Sequence, residues 1–132
     1  MANAIYPKYK EALLSGSSNT GLNGTVNCTL VTGDYTYSAT DEFITAIDAG
    51  YRIDTVALDD KTFTNGTFDA DNVQYTSVTG SEVTAIVIWI DTGVEATSRL
   101  VAYIDTDVTN LPVTPNGGDI LITWNASGIF TL

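Results

Sequence analysis

The chain has 132 residues, of which 44% are hydrophobic and only 16% are charged. This length is most simply a single domain, residues 1–132, and the composition favours a folded globule over a disordered chain. With 16 acidic and 5 basic residues the net charge is −11, so the protein repels polyanions and direct nucleic-acid binding is not expected.

Several kinds of catalytic site are excluded by residue types that the sequence lacks. It has no histidine and one cysteine, which rules out Ser/His/Asp and Cys/His nucleophile arrangements and thiolate metal clusters. The glycine-rich phosphate-binding motifs are missing too. We therefore predict no enzyme activity and no cofactor, and assign no catalytic, cofactor-binding or metal-ligating residue.

Paired carboxylates are the remaining candidates for acid–base chemistry. They occur as Asp59 with Asp60, Asp69 with Asp71, and Asp105 with Asp107. A glycan-cleaving site would need two carboxylates facing each other across a cleft, and calcium would need clustered oxygen ligands. Aspartates at strand ends are more often turn-forming residues, so both uses are the weaker alternatives.

Residues 3–15 are the best helical candidate, because Pro7 suits a first turn and Gly16 suits a stop. The glycine- and serine-rich stretch 15–24 that follows predicts a linker. We therefore expect residues 1–24 to form an N-terminal arm within the single domain, somewhat apart from its body.

Strand patterns dominate the rest of the chain. Residues 25–32 place Val26, Cys28 and Leu30 on one face, the alternation of a half-buried strand, with Cys28 as a small buried residue. In residues 38–50, "SATDEFITAIDAG" predicts a short helix capped by Thr40. Further strands are predicted at residues 51–58, 73–78, 82–91, 98–105, 120–124 and 129–132, and Phe63 and Phe68 mark weaker ones.

About eight short strands, spaced by roughly 8 to 12 residues, predict an all-β fold, specifically a jelly-roll-like β-sandwich of antiparallel strands with a short N-terminal helix or arm. The run "VTAIVIWID" is apolar on both faces, which is typical of a central strand or of one covered by a partner subunit. Trp89 and Trp124 lie in apolar strands and are expected in the core. Asn116 and Gly117 predict a turn, and the strand 129–132 is expected to be fixed by ladder hydrogen bonds.

The longest apolar run, residues 85–90, is far too short to span a membrane, and the first residues lack the apolar region of a signal peptide. We expect cytoplasmic synthesis without membrane insertion. Without a secretory route, the Asn-x-Ser/Thr sites are interpreted as turn and strand residues rather than glycan acceptors; they are Asn23, Asn27, Asn65 and Asn125.

Aromatic and apolar residues near the N-terminus are candidates for a protein interface. Tyrosine is enriched in interfaces because its ring can be buried while its hydroxyl stays hydrogen-bonded. Core packing is an equally open alternative for the tyrosine pairs. The candidate interface residues are Ile5, Tyr6, Tyr9, Leu13, Tyr35 and Tyr37.

Five segments, which follow one another through most of the chain, resemble a group of small structural proteins of tailed bacteriophages. They are "YPKYKEALLSG", "LVTGDYTYSATDEF", "KTFTNGTFDADNVQYTSVTG", "SRLVAYIDT" and "PVTPNGGDILITWNASGIFTL". The resemblance implies a capsid decoration, or cement, protein with a jelly-roll-like β fold, located in the virion on the outer capsid surface.

On that reading the partner is the major capsid protein, and the chain is a homo-oligomer, a dimer or a trimer, made in the host cytoplasm. Residues 1–16 are the preferred bridging element because a glycine-rich tether follows them. The main alternative is a tail-tip or fibre module that binds a host surface glycan or protein.

Overall fold

The computed structural model describes residues 3–106, 108 and 110–132. In chain order its elements are strand β1 (Ala4–Ile5), helix α1 (Pro7–Ser15), and strands β2 (Val26–Thr32), β3 (Arg52–Ala57), β4 (Thr67–Phe68), β5 (Val73–Tyr75), β6 (Val83–Ile90), β7 (Leu100–Ile104), β8 (Ile120–Ile122) and β9 (Phe130–Thr131). Single-turn 3-10 helices lie in the connections at Ile44–Ala46, Ala49–Tyr51, Thr64–Gly66 and Glu95–Thr97.

The strands confirm the all-β prediction. Five of them form one antiparallel sheet in the order β1-β7-β6-β2-β3, and the others pair as β4 with β9 and β5 with β8. Both small sheets join strands that are far apart in sequence. No described helix is long and apolar enough to cross a membrane.

The core is built around β6, as its two-sided apolar pattern predicts. This strand lies between β7 and β2, and its residues from Ala85 to Ile90 are all buried. Trp89 and Trp124 are each only 7% exposed, which confirms their assignment to the core, and Cys28 is a fully buried free thiol.

Strand β2 is buried on both faces, so the prediction of a half-buried strand is wrong. The polar residues of its second face are satisfied inside the protein. The Asn27 amide donates to Asp91 Oδ2 at 3.0 Å, and Thr29 Oγ1 accepts from Trp89 Nε1 at 2.8 Å. Alternation of polar and apolar residues therefore marks internal hydrogen bonding here rather than contact with water.

Residues 38–50 do not form the predicted helix capped by Thr40. They contain the two single turns Ile44–Ala46 and Ala49–Tyr51. Ile44 is fully buried, and its N–H donates to Ser98 O at 2.9 Å, so a tertiary hydrogen bond takes the place of the helical one that this N–H would make to Thr40.

The N-terminal segment packs on the body instead of lying apart from it. Near its start lies β1, which pairs with β7 through Ala4 with Tyr103 and Ile5 with Ala102. Helix α1 starts only at Pro7 and ends as predicted, with Gly16 in the left-handed conformation at φ 69°. The predicted single helix over residues 3–15 is therefore a strand followed by a helix.

The C-terminal region contains the predicted turn and strand. Gly117 has φ 87°, and Asn116 Oδ1 accepts from Gly118 N at 3.0 Å. The turn leads into β8, and the last strand, β9, is held by its ladder with β4. Of the two weaker strands, Phe68 lies in β4, whereas Phe63 precedes a 3-10 turn and lies outside any strand.

Candidate functional site

Three of the candidate interface tyrosines meet in one cluster beside β7. The Tyr37 ring contacts those of Tyr6 and Tyr103, with centroid distances of 5.1 and 5.5 Å. The hydroxyls of Tyr6 and Tyr35 are 2.7 Å apart, and Tyr35 donates to Asp41 Oδ2 at 2.8 Å. Because the single proton of Tyr35 is used on Asp41, Tyr6 must donate to Tyr35. The cluster ties the N-terminal segment to residues 35–41.

The electrostatics of this cluster favour a structural role. Burial, reinforced by the neighbouring Tyr35 hydroxyl, raises the pKa of Tyr6 well above its ordinary range. Burial also raises the pKa of Tyr35, although the hydrogen bond from Tyr6 partly opposes this. Both phenols therefore stay neutral at physiological pH, and each keeps the proton that its hydrogen bond donates.

The six candidate interface residues differ in exposure. Tyr6, Tyr9 and Tyr35 are buried in the core, which is the packing alternative that the sequence left open. Ile5, Leu13 and Tyr37 are half-buried and pack against that core. Contact of these residues with another protein stays a prediction.

Leu14, which the sequence analysis did not single out, is more exposed than any of these six residues. Tyr9 and Ala12 fix the buried face of α1, and Leu14 lies on the opposite face with 90% of its surface exposed. Helical periodicity could have found it, because position 14 is two residues beyond position 12 and therefore points away from it.

A surface cleft of about 530 Å³ adjoins Leu14. Helix α1 forms one wall, and Glu42 and Arg99 form the other. Arg99 is only 8% exposed; it donates to Glu42 Oε2 at 3.3 Å and to the carbonyl oxygens of Ser18 and Asn19 at 3.1 and 3.3 Å. The Arg99 guanidinium group therefore helps to fasten the linker after α1 to the body.

A second exposed apolar surface lies at the β4–β9 pair. Phe63 is 47% exposed and stacks on Phe68, with centroids 5.8 Å apart, and Phe68 contacts Phe130 at 5.4 Å. Leu132, whose N–H donates to Gly66 O, is 65% exposed nearby.

One of the predicted carboxylate pairs gains a new acidic neighbour in the structure. Asp71 is exposed, and the hydrogen bond and charge of Asp60 are the main causes that raise the Asp71 pKa. Among the described residues, no group of three or more acidic or thiol side chains is placed to hold a metal ion. Asp107 lies outside the described residues.

Three of the four Asn-x-Ser/Thr sites have structural roles, as expected. Asn27 is a buried strand residue, Asn65 occupies a left-handed turn position at φ 54°, and Asn125 Oδ1 accepts from Ser127 N at 2.8 Å. Asn23 is exposed, and no hydrogen bond of its side chain occurs in the described part of the chain.

No protein-family model matches this chain, and no curated protein sequence matches it either.

Proposed function

We propose that this protein is a capsid decoration protein of a tailed bacteriophage, with a jelly-roll-like sandwich as its body. It binds the outer surface of the shell formed by the major capsid protein and bridges neighbouring subunits. The observation that carries the proposal is Leu14, a large apolar side chain exposed on a helix that packs on the body of an acidic molecule whose segments resemble those of phage structural proteins.

Packing of α1 on the body favours binding through Leu14, because the backbone that carries this side chain is already ordered before it docks. The opposite face of α1 is fixed by the buried residues Tyr9 and Ala12, and the Tyr9 hydroxyl donates to Thr20 O at 2.8 Å. Arg99 fastens the linker that follows. An apolar side chain of the shell that enters the adjoining cleft would meet Leu14 and Ala12 with charged groups around them.

The net charge of −11 supports the same function in another way. Copies of the free protein repel one another and stay soluble at high concentration. Once bound as a symmetric dimer or trimer, each assembly makes several equivalent contacts, and linkage multiplies their effective affinity by about 10² to 10⁴. Weak contacts through one leucine per chain are then sufficient to bridge shell subunits.

Substitution at Leu14 tests this proposal. Deleting residues 1–16 is unsuitable because it would also remove Tyr6 and Tyr9 from the core. Leu14→Ser should lower binding to purified undecorated shells by about tenfold or more, since burial of a leucine is worth about 1.5–3 kcal/mol. The matched control is Leu121→Ser, a 44% exposed leucine on β8, which should bind as the wild type does. Equal occupancy of both variants on the shell would overturn the assignment of α1.

Phe63 favours the alternative, a tail-tip or fibre module, because an exposed aromatic ring is the group that stacks on a glycan or inserts into a host protein. Copy number separates the two functions. Gel densitometry of purified virions should find hundreds of copies per particle for a decoration protein and tens at most for a tail component. Electron microscopy of the same particles would show whether the protein lies on the shell lattice or on the tail.

A further inference from the structure

Asparagine is followed directly by glycine at three places, residues 23–24, 65–66 and 116–117. In such a pair the glycine nitrogen can attack the side-chain carbonyl carbon of asparagine, because glycine has no side chain to obstruct the approach. The new C–N bond closes a succinimide ring, and the side-chain nitrogen leaves as ammonia. One water molecule then opens the ring at either carbonyl, which yields aspartate or isoaspartate.

Two of the three pairs are protected in the folded protein. The nitrogen of Gly117 donates to Val78 O at 2.7 Å, and the nitrogen of Gly66 donates to Phe63 O at 3.3 Å. Each bond must break before the nitrogen can turn toward the preceding side chain. The side chain of Asn116 is held as well, because its Oδ1 accepts a backbone hydrogen bond.

The pair at Asn23 and Gly24 has none of this protection. Both residues are exposed, and in the described part of the chain neither the Asn23 side chain nor the Gly24 N–H makes a hydrogen bond. The surroundings of Gly24 are open, since a Cβ built there would have no atom within 4 Å.

We propose that Asn23 is a self-modification site, which converts to aspartate or isoaspartate in the folded protein while Asn65 and Asn116 are preserved. The reaction needs only water and no cofactor. Its product adds one negative charge, and in the isoaspartate form one extra main-chain carbon, to the joint between the N-terminal segment and β2. This inference is independent of the proposed function.

Peptide mapping by mass spectrometry tests it. The full-length protein is incubated at mildly alkaline pH, folded and in concentrated urea, and the three sites are followed over time. In the folded protein Asn23 should convert at least about tenfold faster than the other two, whose glycine nitrogens are hydrogen-bonded. In urea the three rates should become similar, because folding is the source of the protection.

Gly24→Ala is the matched variant. Its φ lies outside the left-handed region and its surroundings are open, so alanine fits without strain. The added methyl group should slow conversion of Asn23 in both folded and unfolded protein and leave the other two sites unchanged. Conversion of Asn65 or Asn116 in the folded protein as fast as Asn23, or a folded Asn23 as slow as those two, would overturn the proposal.

Discussion

Tyr6 is the residue that joins the N-terminal segment most directly to the body. Its ring is completely buried, its N–H donates to Val101 O at 3.0 Å, and its hydroxyl starts the hydrogen-bond chain through Tyr35 to Asp41. A buried hydroxyl needs a partner inside the protein, and here that partner belongs to a connection more than twenty residues away in sequence. One side chain thus holds two separate stretches of the chain together.

Replacing Tyr6 by phenylalanine should lower the free energy of unfolding by about 1 kcal/mol, since the ring stays and one buried hydrogen bond is lost. Tyr37→Phe is the matched control, because the Tyr37 hydroxyl makes no hydrogen bond in the described part of the chain while its ring lies in the same cluster. Urea titration of both variants provides the comparison. Equal stabilities would show that the hydroxyl chain contributes nothing.

Asp60→Asn should return the pKa of Asp71 to the ordinary carboxyl range, because Asp60 is the main cause of its increase. A carboxyl whose pKa is raised on folding stabilises the protein below its unfolded pKa, about 3.9, and this contribution is lost as pH rises through the folded pKa. The variant should therefore match the wild type at pH 3 and exceed its stability at pH 7. Asparagine is tolerated at the left-handed φ of 50° that Asp60 adopts.

Thermal melts at the two pH values, with carbon-detected NMR titration of Asp71, check this expectation. Glu82→Gln removes one charge from an exposed residue without a described hydrogen bond or ion pair, and serves as the control. A gain in stability that is the same at pH 3 and pH 7 would mean that the backbone, not the carboxylate pair, is responsible.

At the scale of elements, the strands with strong apolar content could be predicted and their partners could not. The strand β6 could be predicted at residues 82–91 because both of its faces are apolar. The pairing of β5 with β8 could not be predicted, because the sequence of neither strand carries a signal for its partner. The prediction of a helix at residues 38–50 is wrong because the burial of Ile44 and its hydrogen bond to Ser98 outweigh the local helix propensity. Such contacts depend on the folded whole and leave no periodic signal.

The N-terminal elements show the same limit at the candidate site. Tyrosine suits a core as well as an interface, and three of the candidate tyrosines proved to be buried. Exposure of Leu14 follows from helical periodicity only once the buried face of α1 is known. The arm was expected to lie apart because a glycine-rich linker follows it. That linker is held in place by hydrogen bonds from Arg99, which is distant in sequence, and from Tyr9.

Arg99→Met should release the linker and lower the free energy of unfolding by about 2 kcal/mol, because hydrogen bonds from a charged group to two carbonyl oxygens and Glu42 are lost. Lys8→Met is the control, since its 3.2 Å pair with Glu11 is exposed and worth less than about 1 kcal/mol. Hydrogen exchange should show faster opening of residues 16–20 in the Arg99 variant alone. Unchanged exchange there would contradict a fastening role.

At the scale of the whole molecule, the 16 acidic side chains far outnumber the five basic ones that could neutralise them. Three of the five basic residues are engaged in described ion pairs, which are Lys8 with Glu11, Arg52 with Glu95, and Arg99 with Glu42. Most of the 16 acidic residues therefore face water and one another. Their mutual repulsion keeps separate molecules apart and also opposes the compact state of each one.

Salt should therefore stabilise the isolated protein at pH 7. Raising the ionic strength from about 0.01 to 0.15 M shortens the Debye length from about 30 to 8 Å, which screens repulsion across the surface more than it weakens the close ion pairs. The melting temperature in sodium chloride should rise over this range. Near pH 4.1, the isoelectric point, the net charge vanishes and the increase should vanish with it. A melting temperature that falls with salt at pH 7 would mean that the ion pairs, and not the excess of carboxylates, govern the response of stability to salt, because screening weakens attraction and repulsion alike.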